Sequence, residues 1–225
     1  PEMIPFFAKL GVTQIHFAYN RNNSVAGGCH DIDIPLTDLG REMVKAVNAG
    51  GMIMDCSHTG RQSSLDIMKV STKPVVFSHA NPKVLGGHER CVDDEQIKAC
   101  ADTGGVIGIC GFQRFIKSPN APEVPDMIRH IDYAVKLVGI DHVGIGLDTM
   151  PHVPGTDDFP DGIDRAYYWP AHRGYGPGAG GAAVFDPKKL PALADALIVE
   201  GYTPDDVDKI MGENFLRVAK ECWTV

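Results

Sequence analysis

The sequence predicts an α/β fold organised on a parallel β-sheet, and three observations carry that reading. Short runs such as Met52-Ile53-Met54 and Val75-Val76-Phe77 are apolar at every position, as strands buried on both faces are. Stretches with apolar residues at three- and four-residue spacing separate the runs and supply right-handed crossover helices. Polar clusters follow the runs, two of them holding a histidine, and the carboxyl ends of parallel strands are where ligands and catalytic groups gather.

The elements follow in chain order. A helix is expected around Met3 to Leu10, then a first strand from Val12 to Tyr19. Asn20 to Asp33 reads as a polar loop, and Thr37 is placed to cap a helix with the stripe Leu39, Met43, Val44 and Val47, stopped by Gly50-Gly51. The second strand, through Met54-Asp55, runs into Cys56-Ser57-His58. A helix from about Gly60 to Ser71 then leads to the strand Pro74 to Phe77, which runs into Ser78-His79-Ala80-Asn81. Asp93-Asp94-Glu95 starts a helix to about Asp102, Val106 to Cys110 is a strand, Phe112 to Pro125 a loop, and Met127 to Val138 a helix ended by Gly139. His142 to Asp148 is the fifth and last strand, with Asp148 at its carboxyl end. Residues 151–181 form a long loop rich in Pro, Gly and aromatics, of a length that suits a lid or binding loop, or else a surface excursion. Helices Pro187 to Glu200 and Pro204 to about Ile210, and an amphipathic end through Phe215, Leu216 and Val218, complete a single domain over residues 1–225.

Composition narrows the function classes. With 225 residues, 44% hydrophobic and 22% charged, the chain can bury a core of one domain. A net charge of -8, a pI near 5.5 and the lack of any basic run argue against nucleic acid or an anionic membrane as partners. No stretch approaches the roughly 18 apolar residues of a membrane span, and the chain as given reads as cytoplasmic. The six cysteines form no C-x-x-C pair, so buried free thiols are expected rather than disulfides or a thiolate zinc site.

His58 and His79 each follow a buried strand and are each preceded by a serine. Two neutral imidazoles on adjacent strand ends begin a site for zinc or a similar divalent ion; the other reading is a pair of satisfied core histidines. His16, His30, His130, His142, His152 and His172 read as surface or satisfied core residues. Asp148 reads either as a carboxylate that completes such a site or takes a proton from bound water, or as a cap or loop anchor. Arg90 reads either as a planar clamp for a substrate carboxylate or as a solvated charge, with His88 and Glu89 beside it as bystanders.

Taken together, the motifs resemble the membrane dipeptidase (renal dipeptidase) family of zinc metallopeptidases. They are Phe17-Ala18-Tyr19-Asn20 with Asn23, Leu36-Thr37 with Gly40-Arg41, Asp55-Cys56-Ser57-His58, and Phe77-Ser78-His79-Ala80-Asn81. Arg90 with Asp93-Asp94, Gly104 to Gly108, Asp141 to Asp148 and Gly212 to Arg217 continue the likeness over nearly the whole chain, and Ala18 to Asn23 looks like the bacterial branch. The resemblance implies a (β/α)8 TIM barrel and a metal-dependent hydrolase that cleaves dipeptides at a two-metal, usually zinc, centre. By position, His58 and His79 look like the pair that holds one metal. Asp148 looks like the aspartate after the eighth strand, beside the other metal, which handles proton transfer to the leaving amine. Arg90 matches the arginine that receives the terminal carboxylate. Tyr19 stands where the best-known members carry a histidine that binds the tetrahedral intermediate, so it can donate only a phenolic hydrogen bond. A small dipeptide substrate is implied, and a homodimer is allowed.

The same resemblance finds no counterpart here for the first-strand His-x-Asp pair or for the glutamate that bridges the metals. The match runs from the fourth barrel strand onward, so a partial barrel of about five of eight βα units is expected, short of on the order of 90 residues at about 30 per unit. Two functions follow. One is a zinc-dependent dipeptidase, incomplete in this chain; the other is a non-catalytic fragment or remnant that binds a metal or dipeptide-like ligand, or needs a partner segment for activity.

Overall fold

The computed structural model describes residues 1–149, 164–175 and 183–223. Five strands, β1 (Gln14–Ile15), β2 (Ile53–Asp55), β3 (Val75–Ala80), β4 (Ile107–Ile109) and β5 (Val143–Ile145), pair in parallel in the order of the chain. Paired positions include Ile15 with Met54, Met54 with Val75, Phe77 with Ile107, and Ile107 with Val143. An order that never turns back is the connectivity of a βα barrel, whereas a doubly wound sheet reverses at a switch point.

The helices are α1 (Ile4–Lys9), α2 (Asp38–Ala49), α3 (Arg61–Val70), α4 (Lys83–Gly86), α5 (Asp94–Asp102) and α6 (Gln113–Ile116), followed by α7 (Val124–Val138), α8 (Arg165–Tyr168), α9 (Leu190–Val199), α10 (Pro204–Asp208) and α11 (Asn214–Cys222). Their starts follow from local chemistry. The Thr37 side chain accepts from the Gly40 N–H, and Asp93 and Gln96 cap each other's backbone at the head of α5. Glu123 and Asp126 form the same reciprocal box, and Pro125 loses no hydrogen bond in the first turn, so α7 begins three residues before the expected Met127. The single-turn helices α4 and α6 lie in connections expected to be loops.

The first strand is much shorter than the expected Val12 to Tyr19. Past Ile15 its neighbour β2 has one residue left, so His16 to Tyr19 finds nothing to ladder against and the backbone turns away, with Asn20 at φ +63°. The last strand stops at Ile145, which leaves Asp148 three residues beyond its end rather than on it. Within the expected long loop 151–181, residues 164–175 hold α8 and a 3-10 turn over Ala171–Arg173; residues 151–163 and 176–181 lie outside the described residues.

The period-two alternation of the strands builds two faces. Met54, Val75, Phe77, Ile107, Ile109 and Val143 join one core with residues of α2, α3, α5, α7 and α9. Ile53, Val76 and Val106 point the other way, onto Val218, Ala219 and Cys222 of α11. Two residues further along this second face stand Asp55 and Ser78, so the same alternation that buries Ile53 and Val76 lifts a polar pair to the carboxyl edge. All six cysteines are free, and all but Cys29 are buried, as the sequence suggested. Among the described residues no helix is long and apolar enough to cross a membrane.

His130 of α7 ties the layers together. It is fully buried, its Nε2 donates to the Ile116 carbonyl at 3.0 Å, and its Nδ1 accepts from the Asn81 amide at 3.3 Å. Burial outweighs the Ile116 bond and pulls its pKa down from 6.5 to about 4. A histidine whose folded value lies below its unfolded one stabilises the fold above the unfolded value, and that stability is lost as pH falls from about 6.5 to about 4, on the order of 3 kcal/mol in all. Urea midpoints taken from pH 7 to pH 4 should therefore fall less steeply in His130→Gln than in the parent. Equal slopes would mean that His130 titrates alike in the folded and unfolded chains.

Candidate metal and substrate site

β2 and β3 end side by side and deliver Ser57-His58 and Ser78-His79 to one place. Between the Phe77–Ile107 and Ala80–Ile109 pairs, β3 carries one residue more than β4, a bulge that falls on Ser78-His79 and re-aims both side chains. The bulge needs its neighbours to be glycine. A Cβ on Gly146 would lie 1.9 Å from the Ser78 carbonyl oxygen, and one on Gly108 would lie 2.3 Å from it. His58 enters through a left-handed backbone at φ +66°, and Asn20 and Asp148 share that conformation at +63° and +60°. Such strain costs on the order of 1 kcal/mol per residue and collects where geometry is imposed by the surroundings.

The two imidazoles meet with their Nε2 atoms 2.9 Å apart. The opposite nitrogens are both engaged. His58 Nδ1 lies 2.7 Å from Asn20 Oδ1, an atom that only accepts, so the Nδ1 carries the hydrogen. His79 Nδ1 lies 2.8 Å from Ser78 Oγ, whose own hydrogen goes to Asp55 Oδ2 at 2.5 Å; Ser78 is thus left to accept, and this Nδ1 also carries a hydrogen. Burial, joined by the positive charge of Arg90, lowers the pKa of both rings, that of His58 well below its ordinary value. Two neutral rings therefore aim bare Nε2 lone pairs at each other.

Asp55 is the anchor beneath them. Its buried carboxylate accepts from the Ser78 hydroxyl, the Ser57 and Ser78 backbone N–H groups at 2.9 and 3.1 Å, and Gln14 Nε2 at 3.0 Å. Burial works to raise its pKa, but the Ser78 hydroxyl, His79 and the two N–H groups outweigh it, and the carboxyl stays below the ordinary range.

Arg90, which the sequence left between a clamp and a solvated charge, is only 3% exposed. One of its terminal nitrogens donates to the His79 carbonyl at 3.4 Å, its plane lies 5.3 Å over the Phe115 ring, and its Nε has no partner. Among the described residues it has no carboxylate within ion-pair distance. Tyr19 stacks on His58 with ring centroids 4.0 Å apart, and its phenol is hydrogen-bonded by the Trp169 side chain. An indole N–H can only donate, so the Tyr19 hydroxyl keeps its own hydrogen free to donate, and burial keeps its pKa raised. Asp148 is exposed, near enough that its charge acts on both His79 and Tyr19. A cleft of about 320 Å³ opens beside the pair, lined by His58, Thr59, Cys29, Glu89, Arg90 and Arg173 among others.

His30, His88 and Glu89 join the loops to residues 164–175. His30 accepts from the Tyr175 hydroxyl at 2.9 Å and donates to Glu89 at 3.1 Å, Glu89 pairs with Arg173, and His88 donates to the Arg173 carbonyl at 2.8 Å. Burial and the nearby Arg173 push the His30 pKa down to about 3, so this ring too is neutral. Among the described residues no group of three or more His, Cys, Asp or Glu stands close enough to hold a metal, and the histidine pair stands without a third such residue beside it. Sequence reasoning left Asn20, Asp55 and Ser78 without a role. The serine before each histidine was the available signal, and the hydrogen bonds that give it meaning appear only when the strand ends are superposed.

Residues 1–170 match the membrane dipeptidase family, peptidase family M19. The chain belongs to that family. It is 29% identical to dipeptidase tcpJ of Claviceps purpurea over 97% of its own length and 47% of that protein's. The crystal structure of an amidohydrolase from Pseudomonas aeruginosa, 31% identical, superposes with a TM-score of 0.82 over 99% of this chain and 68% of the other. A metallopeptidase from Rhodobacter sphaeroides, crystallised with a phosphinate mimic of the dipeptide L-Ala-D-Ala, shares the fold at a TM-score of 0.75 and 23% identity, over 97% of this chain and 58% of that one. The M19 chain described here thus spans about half the length of the curated relative it matches, and its five βα units are an arc of the family's TIM barrel.

Asp55 joins the ends of β2 and β3 beneath the histidine pair by accepting four hydrogen bonds. Asp55→Ala would leave the Gln14 amide, two backbone N–H groups and the Ser78 hydroxyl without their acceptor, and should lower unfolding free energy by about 3 kcal/mol or more in urea titrations. A loss below about 1 kcal/mol would show that water replaces the carboxylate without cost.

Proposed function

We propose that this chain carries the His58–His79 half of a zinc-dependent dipeptidase site, with Arg90 as the clamp for the substrate's terminal carboxylate. The single observation behind the reading is the pair of neutral imidazoles whose Nε2 lone pairs converge at 2.9 Å. Left to themselves two such lone pairs repel. Two ligands of one tetrahedral zinc, each at about 2.0 Å, stand roughly 3.3 Å apart, so the pair fits that ion within a few tenths of an ångström. When bound, zinc would supply the Lewis acidity that polarises a peptide carbonyl and acidifies a bound water.

The residues divide the remaining work. Arg90, buried and without a carboxylate among the described residues, suits a dipeptide's carboxylate as its missing partner. Tyr19 has a hydroxyl hydrogen to offer the substrate oxygen on which charge develops. Asp148 is the group in reach to hold a proton for the leaving amine. The chain's membership of M19 supports the dipeptide class of substrate. That no third ligand stands by the pair among the described residues favours a second reading, in which these 225 residues bind metal or a dipeptide-like ligand weakly and do not turn over without a further segment.

Two measurements test the proposal. Zinc stoichiometry by equilibrium dialysis should fall in His58→Ala and in His79→Ala relative to the parent; unchanged stoichiometry in both would remove the pair as ligands. The 225-residue chain alone should show no dipeptide hydrolysis with added zinc, manganese or cobalt, because catalytic zinc ordinarily has three protein ligands and the described residues offer two. Activity should appear when a relative's upstream βα segment is fused or added in trans. In that active form Arg90→Ala should lower kcat/KM on free dipeptides by about 10- to 100-fold, as a charge-assisted bond is worth roughly 1.5 to 3 kcal/mol, and matter little for amidated ones. Equal losses on both would exclude the carboxylate clamp.

A further inference from the structure

Residues 164–175 reach His58 through two side chains, the ring of Tyr19, which stacks on it, and the amide of Asn20, which alone is hydrogen-bonded to an imidazole nitrogen of the pair. Asn20 Nδ2 donates to the Tyr168 carbonyl at 3.0 Å while its Oδ1 accepts from His58 at 2.7 Å. We propose that Asn20 is a positioning residue that couples docking of this segment to the tautomer of His58, and thereby to the metal affinity of the pair. The second half of the proposal rests on the zinc reading above; the first half does not.

The argument is one of donors and acceptors. A backbone carbonyl can only accept, so while Tyr168 is in place the Asn20 end facing it must be the NH2 group. The amide oxygen then faces His58, Nδ1 must carry the hydrogen, and Nε2 is left bare. Cys29, whose thiol lies 3.4 Å from the same oxygen, agrees with that orientation, and the His30 N–H fixes the Asn20 carbonyl at 2.8 Å. Without Tyr168 the amide is free to turn over and offer its NH2 to His58 Nδ1. His58 then moves its hydrogen to Nε2, which points at His79 Nε2 2.9 Å away. The two rings would close on each other in a direct hydrogen bond and withdraw the lone pair that a cation needs.

The segment is held at both ends by residues that touch neither histidine of the pair. Arg21 donates to the Tyr167 carbonyl at 2.5 Å, lies 4.6 Å over the Tyr167 ring and pairs with Asp31 at 2.6 Å. At the far end Tyr175 holds His30 and Arg173 holds Glu89. Docking is thus adjustable at a distance from the pair.

The test begins on metal-free protein, with the His58 ring tautomer read by long-range proton–nitrogen NMR and the segment by limited proteolysis. The parent should show the Nδ1–H form. The double variant Arg21→Ala with Tyr175→Phe loosens both ends, with Arg173 still paired to Glu89; cleavage within 164–175 should quicken, the His58 tautomer should shift toward Nε2–H, and the zinc Kd should rise on the order of 10-fold, the range for loss of a ligand's hydrogen-bond partner. Asn20→Asp keeps an acceptor for His58 and loses the donor to Tyr168, so it should hold the tautomer while the segment cleaves faster; Asn20→Ala should lose both. An unchanged tautomer in the double variant overturns the coupling, as does Asn20→Asp behaving like Asn20→Ala. If zinc affinity is the same in the parent and His58→Ala, the metal reading has failed, and the tautomer result still decides whether Asn20 couples.

Discussion

Everything at the carboxyl edge of the sheet depends on keeping two histidines, His58 buried and His79 half-buried, neutral and their inner nitrogens bare. Burial and the charge of Arg90 remove the proton that would otherwise be shared, and two acceptors, Asn20 Oδ1 and Ser78 Oγ, hold the remaining hydrogen of each ring on the outside. The arrangement is unfavourable in isolation. It persists because each acceptor is fixed from behind, Ser78 by the Asp55 carboxylate and Asn20 by the Tyr168 carbonyl. The orientation of the two rings is therefore set by hydrogen bonds one step removed from the histidines, the arrangement that imidazoles bound to metals generally have.

Those bonds in turn depend on backbone features with a sequence cause. The bulge that aims His79 sits over Gly108 and Gly146, where a β-carbon would strike the Ser78 carbonyl. Gly28 does the same on the other side, since a Cβ there would lie 2.2 Å from the Asn20 carbonyl carbon. The glycines in the apolar runs are thus not gaps in strands but the space into which the site's backbone is folded. The left-handed backbones of Asn20 and His58 are the cost of the same geometry, tolerated because both residues are buried and hydrogen-bonded in place.

The parallel order of the strands and the pairing of His58 with His79 were legible in the sequence because both follow from short-range pattern: uniformly apolar runs, helical spacing between them, and a histidine just after two adjacent runs. Element ends were less legible. The runs after Val12 and His142 continue apolar past the point where a neighbouring strand is present, and it is the neighbour that decides where a strand stops. For Arg90 the residue pattern alone leaves clamp and solvated charge open, and only the family resemblance points to the clamp, because its burial depends on Phe115 and the His79 carbonyl, both distant in the chain. Asn20, Asp55 and Ser78 were hidden for the same reason. A carboxylate or amide that orients a histidine looks, in sequence, like any polar residue near a strand end, and only the register of β2 against β3 and the approach of residues 164–175 bring it to its partners.

In the function proposed above, the two Nε2 atoms form one half of a zinc site. Crystals of the chain soaked in zinc and measured above and below the zinc absorption edge test it directly. An anomalous peak is expected between the rings, about 2.0 to 2.1 Å from both His58 Nε2 and His79 Nε2, with the Asn20 and Ser78 hydrogen bonds retained. Zinc found elsewhere on the chain while the two rings stay in direct contact would contradict it.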